Sequence, residues 1–525
     1  MNKKTTAAVL IATLALSAAA CGRKAVNNTE VDLSGATEEN TMPISKDGIT
    51  IKYYQQLYGN IKSYNDNEMF KEMAKITGVN IEFVSPPKGQ ESEQYGVMLA
   101  SNDVPDIIDR MIDGIYPGGL KKGVDDGFFL DLTGYINKYA PNIKKLMEEN
   151  PELKEDMDLD GKIGAVTEYM TAPELIWLGP VIRKDLLDKI GADIPRTPEE
   201  LHEVLLKFKN ELNIKYPMLL DESANHIPSN GIATGWNTGT NMYFGTDGRW
   251  HYGPYDEEYY KMITEFSKWY QEGLIDSEFA ARDSKSIETL IVQGDAGFFW
   301  GSSGDNLKNR EKVGKKNNPD FDLEPIPFLV PKRGDKANIA NRDTKLKSLG
   351  AAITAKSKYP VECMKLIDYM YSPEGSEMCN YGIEGKTYTK DENGVKRYTE
   401  FFTNNPDGIT ENDMMYLWAR NDGAYLKETN RGKTAVEIAL LPGNVWGQDT
   451  NVVKSPKMIK FTDEQSSNMT TYWQDINTYV PQFVTKTIMG MSEVDSWETY
   501  KDKMQKMGMD KILEYFDEAS GISEK

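Results

Sequence analysis

Three aspartates at alternate positions, Asp156, Asp158 and Asp160, precede Gly161 and form the pattern D-x-D-x-D-G. Carboxylates at positions one, three and five of a loop that turns at a glycine are the arrangement that binds Ca²⁺ in EF-hand loops. The twelfth position, where such loops carry a glutamate, is Thr167, and the flanking residues favour a strand. The pattern therefore leaves two interpretations open, a calcium site or an acidic turn.

A second group consists of tryptophans that stand among polar and turn residues: Trp177, Trp236, Trp418 and Trp446. Residues 221–254 are rich in Asn, Gly, Ser and Thr, and they contain five aromatic residues, Trp236, Tyr243, Phe244, Trp250 and Tyr252. Aromatic faces suit the C–H faces of sugar rings, and Asn, Asp and Arg can bond to hydroxyl groups. The alternative is that these rings hold a long loop against its own domain.

A third group, Tyr54, Gln55, Asp109 and Arg110, lies at the ends of predicted strands. The spacing of apolar residues predicts a strand over 49–54, a helix over 67–77, a strand over 79–83, a helix near 94–101 and a strand over 104–108. Parallel strands in such β-α-β units end along one edge of the sheet, where open α/β sheets bind ligands. The four residues are therefore candidate ligand contacts, although ordinary loop residues are common at such ends.

Further elements predict a second α/β unit and crossings between the two. Residues 161–166 and 181–183 are predicted strands, and a short helix over 184–191 ends at its glycine. Thr197 is an N-cap candidate for the helix that follows. A strand over 349–354 is predicted to return the chain, so we expect two lobes that are connected near residues 168–180 and 345–349.

The usual signatures of catalysis are missing. His202, His226 and His251 have no metal-ligand spacing, and no G-x-S-x-G or P-loop motif occurs. Since the chain has 81 acidic residues, a pair of carboxylates suited to glycoside hydrolysis can always be imagined and carries no weight. Cys363 and Cys379 could form a disulfide or remain two buried thiols.

The overall composition is that of a soluble, globular, multidomain protein. The 525 residues are too many for one ordinary domain, and 39% are hydrophobic and 27% charged. The formal net charge of −20 argues against nucleic acid as a partner, because phosphate binding needs an excess of Lys and Arg.

The N-terminus predicts export and anchoring. Lys3 and Lys4 precede an apolar run over residues 7–20, which is too short to span a bilayer. The small residues before Cys21 resemble a bacterial lipobox, which implies a signal peptide over 1–20, acylation of Cys21 and a membrane anchor. The alternative is an ordinary secretory peptide. Residues 21–47 are largely polar and predict a flexible tether.

Several phrases, in the same order, resemble the family 1 extracellular solute-binding proteins of ABC importers. They are G-K-I-G-A at 161–165, I-R-K-D-L-L at 182–187, P-R-T-P-E-E-L at 195–201, G-L-I-D-S-E-F at 273–279, Q-G-D-A-G-F-F-W at 293–300 and Y-G-I-E-G-K-T-Y at 381–388. The last phrase is similar to a signature of the large lipoprotein branch that binds complex oligosaccharides. Alginate-binding members of the family carry an EF-hand-like calcium site in a loop.

The resemblance implies an α/β, two-lobed, periplasmic-binding-protein-like fold, in which mostly parallel sheets flanked by helices are joined by a hinge of several segments. We expect the N-terminal lobe to comprise 48–170 and about 348–410, and the C-terminal lobe 171–347 and about 411–525.

The implied function is a non-enzymatic, monomeric receptor on the outer face of the bacterial cell membrane that delivers an oligosaccharide to an ABC permease. No cofactor is required beyond a possible structural calcium. The alternatives are a receptor for peptides or other nutrients and an envelope-anchored carbohydrate-active enzyme.

The resemblance also adds three candidate site residues. Trp300 follows the phrase in which relatives of maltose-binding protein place a ligand-stacking tryptophan. Tyr381 and Glu384 belong to the Y-G-I-E-G-K-T-Y phrase, where two glycines free the backbone around one carboxylate. Glu384 could serve the ligand, a buried backbone group or the opposite lobe.

Overall fold

The computed structural model describes residues 40–522, except for residues 59, 102, 112–113, 173–175, 177, 221–229, 303–304, 339–345, 434–440, 452, 454–460 and 493. Within that part, no helix combines the length and the apolarity that crossing a bilayer requires.

The described chain alternates between strands and helices over most of its length. The strands are β1 (Ile49–Gln55), β2 (Val79–Val84), β3 (Ile107–Met111), β4 (Val166–Met170), β5 (Leu178–Arg183), β6 (Tyr216–Met218), β7 (Met242–Phe244), β8 (Trp250–Tyr252), β9 (Ala296–Ser302), β10 (Leu323–Pro325), β11 (Leu346–Ile353), β12 (Tyr388–Lys390), β13 (Lys396–Tyr398) and β14 (Leu426–Lys427).

The helices of the first half are α1 (Glu68–Thr77), α2 (Glu91–Ser101), α3 (Gly119–Asp125), α4 (Thr133–Tyr139), α5 (Pro141–Glu149), α6 (Pro151–Met157), α7 (Lys184–Lys189), α8 (Pro198–Asn210), α9 (Asn230–Ala233) and α10 (Glu257–Gln271). Those of the second half are α11 (Ser284–Gln293), α12 (Asp305–Asn317), α13 (Pro360–Tyr369), α14 (Pro373–Tyr381), α15 (Glu400–Thr403), α16 (Glu411–Trp418), α17 (Pro442–Trp446), α18 (Asp463–Ile488), α19 (Trp497–Lys506) and α20 (Met509–Ala519).

Local signals explain where several helices begin. The Asn67 side chain accepts a hydrogen bond from the backbone N–H of Phe70 at the start of α1. The predicted N-cap Thr197 accepts from the N–H of Glu200 at the start of α8. Both caps satisfy a donor that the first helical turn leaves free. The predicted unit β1-α1-β2-α2-β3 and the cap at Thr197 are confirmed.

The first described sheet has the strand order β14-β4-β11-β3-β1-β2. β1 pairs in parallel with β2 and β3, and β14 pairs in parallel with β4, while β11 runs antiparallel to both of its neighbours. Alternate residues pack on opposite faces: Tyr53 and Ile107 lie in one hydrophobic core, and Tyr54 and Ile108 lie in another.

The second sheet has the order β10-β5-β9-β6, with β5 antiparallel to both β9 and β10 and β6 parallel to β9. One of its faces packs in a large core to which α8, α10 and α18–α20 contribute, and the other lies in a smaller core that contains Trp446. The two sheets share no described strand and have separate cores, so the molecule has two lobes.

The chain passes between the lobes three times in the described connectivity: from β4 to β5, from β10 to β11, and from β14 to α17. The strand directions place all three passages at one edge of each sheet. In the first lobe this is the edge where β1, β3, β4 and β14 end, and in the second lobe it is the edge where β6, β9 and β10 end.

Several predicted boundaries differ from the structure. The strand predicted over 104–108 covers Ile107–Met111. The strand predicted over 161–166 begins only at Val166, because Ile163 makes an isolated bridge to Asp158 instead. Residues from 411 were expected in the C-terminal lobe, but β14 pairs with β4 and Tyr416 lies in the first core. This segment belongs to the first lobe because its partners lie there, although they are distant in sequence.

Cys363 and Cys379 are both free and fully buried. Burial raises the pKa of the Cys379 thiol to about 12 and that of Cys363 well above its usual value. The structure therefore resolves the alternatives in favour of two buried thiols.

Candidate functional site

The carboxyl edge of the first sheet carries two side chains at the end of β1 that are buried but incompletely bonded. Tyr54 is 2% exposed and Gln55 is 3% exposed. The Gln55 amide donates to the carbonyl of Asp422 over 3.0 Å, whereas its Oε1 and the Tyr54 hydroxyl have no hydrogen-bond partner in the described structure. Buried polar atoms are normally paired, so a water or a ligand group is expected to complete them.

Asp109, at the end of β3, is a structural residue on the inner face of the sheet. One carboxylate oxygen, Oδ2, accepts from the Tyr53 hydroxyl at 2.6 Å, from Arg420 Nη2 at 2.6 Å and from the N–H of Ala424 at 2.9 Å. The Asp109 and Arg420 side chains are each 1% exposed. Asp109 therefore ties the segment before β14 to the sheet, instead of presenting a free carboxylate at the edge.

Arg110 follows Asp109 but lies on the opposite face of the strand, half-buried beneath α2. Its guanidinium carbon is 4.0 Å from the centre of the Tyr95 ring, a cation–π contact. Its Nε and Nη1 atoms are buried and have no hydrogen-bond partner among the described residues. The edge thus holds a cation whose hydrogen-bonding capacity the protein leaves incomplete.

Four residues that the sequence analysis did not select extend this edge. Tyr58, three residues beyond β1, is half-buried and stacks on Tyr416 with ring centroids 6.2 Å apart. The Tyr416 hydroxyl donates to Asp422 at 2.5 Å and accepts from the Asn421 amide at 3.1 Å. Burial and the nearby Asp422 charge raise the pKa of Tyr58 to about 12.

The position of Tyr58 just after a strand end was an available signal. Tyr416, Asn421 and Asp422 had none, because their place at this edge depends on contacts between distant parts of the chain.

The edge of the second sheet at which the chain passes between the lobes carries Trp300 near the end of β9. The ring is half-buried, stacks on Phe328 with centroids 6.1 Å apart and planes inclined by 24°, and has no partner for its Nε1 among the described residues. A partly exposed aromatic face with a free donor is the kind of group that contacts a sugar. Trp300 stays a candidate ligand contact.

The other predicted tryptophans are placed differently. Trp446 is fully buried, packs over Gly179 and donates from Nε1 to the carbonyl of Pro180 at 3.0 Å, so it is a core residue. Trp236 is half-buried against Phe266 and donates to Glu265 at 2.9 Å. Trp177 lies outside the described residues.

Trp418 lies on the first lobe, beside the β12–β13 hairpin. Its half-buried ring meets Phe401 edge to face, with centroids 5.1 Å apart, and the Lys386 ammonium lies 5.4 Å from its ring centre. The Lys386 ammonium also lies over Phe401 at 4.2 Å. The described contacts of Trp418 are therefore made within the first lobe.

The aromatic residues of 230–254 are mostly bound within their own lobe. The Trp250 indole donates to Ser520 at 2.9 Å, and Tyr252 meets Trp473 edge to face. The Tyr243 hydroxyl donates to Asp256 at 2.6 Å. Of the two interpretations, the structure favours rings that hold this segment against its domain.

The Y-G-I-E-G-K-T-Y phrase forms a compact turn in the first lobe. Tyr381 is 2% exposed and donates to Glu428 at 2.8 Å. Gly382 has a φ of 82°, and a Cβ there would meet the Trp418 carbonyl oxygen at 2.3 Å, so the position requires glycine. Glu384 is exposed and lies 3.4 Å from Lys390. Tyr381 therefore has a packing role, and the carboxylate of Glu384 is open to solvent.

The three aspartates of the D-x-D-x-D-G pattern do not form a metal site in the structure. Asp158 accepts from the N–H of Gly161 at 2.9 Å, and Asp160 lies 3.7 Å from the Lys121 ammonium. Asp156 belongs to α6, where burial raises the pKa of its carboxyl. Within the described residues, no three His, Cys, Asp or Glu side chains are grouped to hold a metal. The segment has the form of an acidic turn here, and the calcium site at Asp156, Asp158 and Asp160 stays a prediction.

A separate groove of about 630 Å³ lies on the second lobe. Its charged side chains are largely paired with one another or with neighbours: Lys184 with Asp188, Arg196 with Asp449, and Arg333 with Glu200. None of the candidate site residues lines it.

Comparison with known families identifies the class of protein. Residues 60–377 match the family described as bacterial extracellular solute-binding protein, and the chain belongs to that family. A curated relative, the fructooligosaccharide ABC transporter substrate-binding protein FusA of Streptococcus pneumoniae, is 24% identical over 550 residues, covering 98% of this chain and 97% of the relative. Lipoprotein LipO of Bacillus subtilis is 24% identical over 366 residues, covering 68% of this chain and 70% of that protein.

The fold is likewise that of known solute-binding proteins. The crystal structure of the alginate-binding protein AlgQ2 without calcium ion superimposes with a TM-score of 0.74 at 22% identity, covering 91% of this chain and 99% of that one. The predicted two-lobed, periplasmic-binding-protein-like fold and the family resemblance are confirmed.

Proposed function

We propose that this protein is the substrate-binding lipoprotein of an ABC transporter, which captures an extracellular oligosaccharide between its lobes and delivers it to the permease. The observation that carries the proposal is the pairing of the two sheet edges. Each edge lies where the chain passes between the lobes, and each presents a half-buried aromatic ring, Tyr58 or Trp300. Among the described residues, the Tyr54 hydroxyl at the first edge and the Nε1 of Trp300 at the second are buried donors without a hydrogen-bond partner. Rings supply stacking faces, and polar atoms bond to hydroxyl groups.

Relatives support carbohydrate as the ligand class. FusA is named for fructooligosaccharides, and AlgQ2 for alginate. Both are similar to this chain over nearly its whole length, although their different sugars leave the particular oligosaccharide open. Closure of two lobes about the three passages would enclose the ligand, as hinged binding proteins do.

The N-terminus supports an anchored receptor. Residues 1–20 act as the signal peptide, and the acylated Cys21 holds the protein on the outer face of the membrane, as the name of LipO suggests for that relative. Two or more acyl chains give durable attachment. The receptor works as a monomer and carries out no chemistry on the sugar, because transport is driven by ATP hydrolysed elsewhere in the transporter.

A thermal-denaturation screen of the mature chain against neutral and acidic oligosaccharides tests the proposal. A ligand at 100 times its dissociation constant stabilises the folded state by about 2.7 kcal/mol, which gives a clear rise in Tm. The rise should fall to about a third in Trp300→Ala at the same ligand concentration. It should persist in Trp473→Ala, a matched half-buried tryptophan of the second lobe that packs on Tyr252.

The same screen distinguishes the alternatives. A rise in Tm with peptides and none with sugars would show that the protein is a receptor whose ligand is a peptide and not an oligosaccharide. Shortened sugars in the wells, detected by chromatography, would contradict a receptor that leaves its ligand intact.

A further inference from the structure

Arg110 differs from most other arginines of the described chain in having no carboxylate partner. Seven of them pair with carboxylates: Arg183 with Asp185, Arg196 with Asp449, Arg249 with Asp517, Arg282 with Asp276, Arg310 with Glu288, Arg333 with Glu200 and Arg420 with Asp109. Arg110 makes no ion pair with any described residue, and two of its nitrogens are buried without a partner.

The nearest carboxylate on its own strand cannot serve Arg110. Asp109 points to the opposite face of the sheet and is bonded to Tyr53, Arg420 and Ala424. Glu91, on the helix that covers Arg110, accepts hydrogen bonds from backbone N–H groups at the start of that helix, and these hold its pKa below the usual value. Neither carboxylate therefore forms an ion pair with Arg110 among the described residues.

The setting of Arg110 holds the charge in place. The Tyr95 ring lies against one side of the guanidinium, and the Tyr95 hydroxyl is itself fixed by the carbonyl of Ile115. A Cβ at Gly114 would come within 3.3 Å of Arg110 Nη2, so this glycine leaves room for the guanidinium. The side chain is thus confined between α2 and residues 114–115, at the edge that carries Tyr54 and Gln55.

A partly buried guanidinium without an anion is costly, and a carboxylate is the group that best offsets that cost. The planar N–H groups of the guanidinium match the two oxygens of a carboxylate, and such charge-assisted hydrogen bonds are about twice as strong as neutral ones. We propose that the first-lobe edge selects oligosaccharides that carry a carboxylate, as uronic acids do, and that Arg110 is the residue that binds it. This inference rests on the proposed function and specifies its ligand.

The test compares acidic oligosaccharides with neutral counterparts of the same length. The probes are trimers of galacturonic, mannuronic and glucuronic acid, each beside its methyl ester, and neutral fructo- and galacto-oligosaccharides, titrated calorimetrically into the mature chain. We expect at least one free acid to bind at least tenfold more tightly than its ester, since a hydrogen bond to a charged group contributes about 1.5–3 kcal/mol.

Two substitutions of Arg110 test whether this residue causes the preference for the free acid over its ester. Arg110→Gln should remove the preference of acid over ester, and Arg110→Lys, which keeps the charge but not the planar fork, should retain part of it. Arg249→Gln removes one charge from a pair at a distant surface of the second lobe and should leave the preference unchanged.

The outcomes separate the inference from the function that it specifies. Binding of a neutral oligosaccharide in preference to every acid, or an acid preference that survives in Arg110→Gln, would overturn the carboxylate site and leave the sugar receptor intact. If no sugar of either kind binds, both are overturned.

Discussion

Asp109 and Arg110 are consecutive residues at the end of one strand, yet the structure uses them in opposite ways. The Asp109 carboxylate faces the main core of the first lobe, where three donors converge on one of its oxygens. The Arg110 side chain faces the other side, where it rests on Tyr95 and where two of its nitrogens have no acceptor among the described residues. One face of the edge holds the lobe together, and the other has polar capacity left for a ligand.

The second lobe repeats this division with two tryptophans. Trp446 is sealed in the core against Gly179, where an added Cβ would lie 2.4 Å from the indole. Trp300 on β9 lies opposite Pro180, the residue that follows Gly179 on β5. Part of its ring is exposed, and its Nε1 has no hydrogen-bond partner among the described residues. In both lobes, satisfied and unsatisfied side chains therefore stand side by side at the edge.

The largest expected effect is the loss of Asp109. Asp109→Ala leaves Arg420 buried without its carboxylate, so the free energy of unfolding should fall by about 3–5 kcal/mol. Urea denaturation followed by far-UV circular dichroism measures it. Asp103→Ala is the control, since its carboxylate is exposed and 4.0 Å from Lys52, and it should cost less than about 1 kcal/mol. Equal losses in the two variants would refute a structural role for Asp109.

The two tryptophans should separate stability from binding. Trp446→Ala opens a cavity in the core and should lower the free energy of unfolding by about 3 kcal/mol or more. Trp300→Ala should cost less stability but weaken ligand binding by about 2 kcal/mol, near thirtyfold, as a central aromatic contact does. Urea denaturation measures the stability of both variants, and calorimetry measures their ligand binding. A greater loss of stability in Trp300→Ala than in Trp446→Ala would mean that Trp300, and not Trp446, is the core residue.

Asp368 is a buried carboxylate that accepts hydrogen bonds but forms no ion pair with a described residue. It accepts from Asn40 at 2.7 Å, from Asn142 at 2.8 Å and from the N–H of Ile143 at 2.9 Å, and burial raises its pKa to about 6. Because the unfolded-state pKa is about 3.9, the folded state binds more protons between pH 4 and pH 6, and stability from this group is lost as the pH rises through that window.

The expected size is about 2 kcal/mol over the two pH units, measured as the difference in unfolding free energy between the wild-type protein and Asp368→Asn. The unfolding free energy of the wild-type protein should increase relative to that of Asp368→Asn as the pH falls from 6 to 4. Stability curves that run parallel across this range would show that the carboxylate does not titrate as the structure indicates.

The smallest effect on stability belongs to Arg110. Arg110→Gln removes the contact with Tyr95 and should lower the free energy of unfolding by only about 1 kcal/mol. Measured in the same urea titrations, this value should be well below that of Asp109→Ala. A loss as large as that of the Asp109 variant would mean that both faces of the strand end are structural.

Much of the first lobe was predictable because its signals are local. Alternation of apolar residues predicts β1 and β2, helical spacing between them predicts α1, and the parallel order places Tyr54, Gln55, Asp109 and Arg110 at one edge. The cap at Thr197 is equally local, since its hydroxyl bonds to a residue three positions away.

The errors share a physical cause. Tyr381 and Trp446 stand among polar neighbours in sequence, but each packs beneath segments that sequence order does not bring close. The D-x-D-x-D-G spacing predicts a calcium loop, but it does not predict that Asp160 lies 3.7 Å from the Lys121 ammonium. Spacing constrains which groups can approach one another, and it does not fix the direction in which each side chain points.

The sequence by itself determined the family, the compartment expected for the mature chain, the elements of each lobe and the edge at which they end, because periodicity, caps and short motifs act over a few residues. Only the tertiary structure decided which side chains at that edge are already bonded. Oδ2 of Asp109 accepts from Arg420, 311 residues further along the chain, while Nε and Nη1 of the adjacent Arg110 receive no acceptor from the described residues. Contacts over such separations form only when the whole lobe folds, and they distinguish a structural residue from one that is left for a ligand.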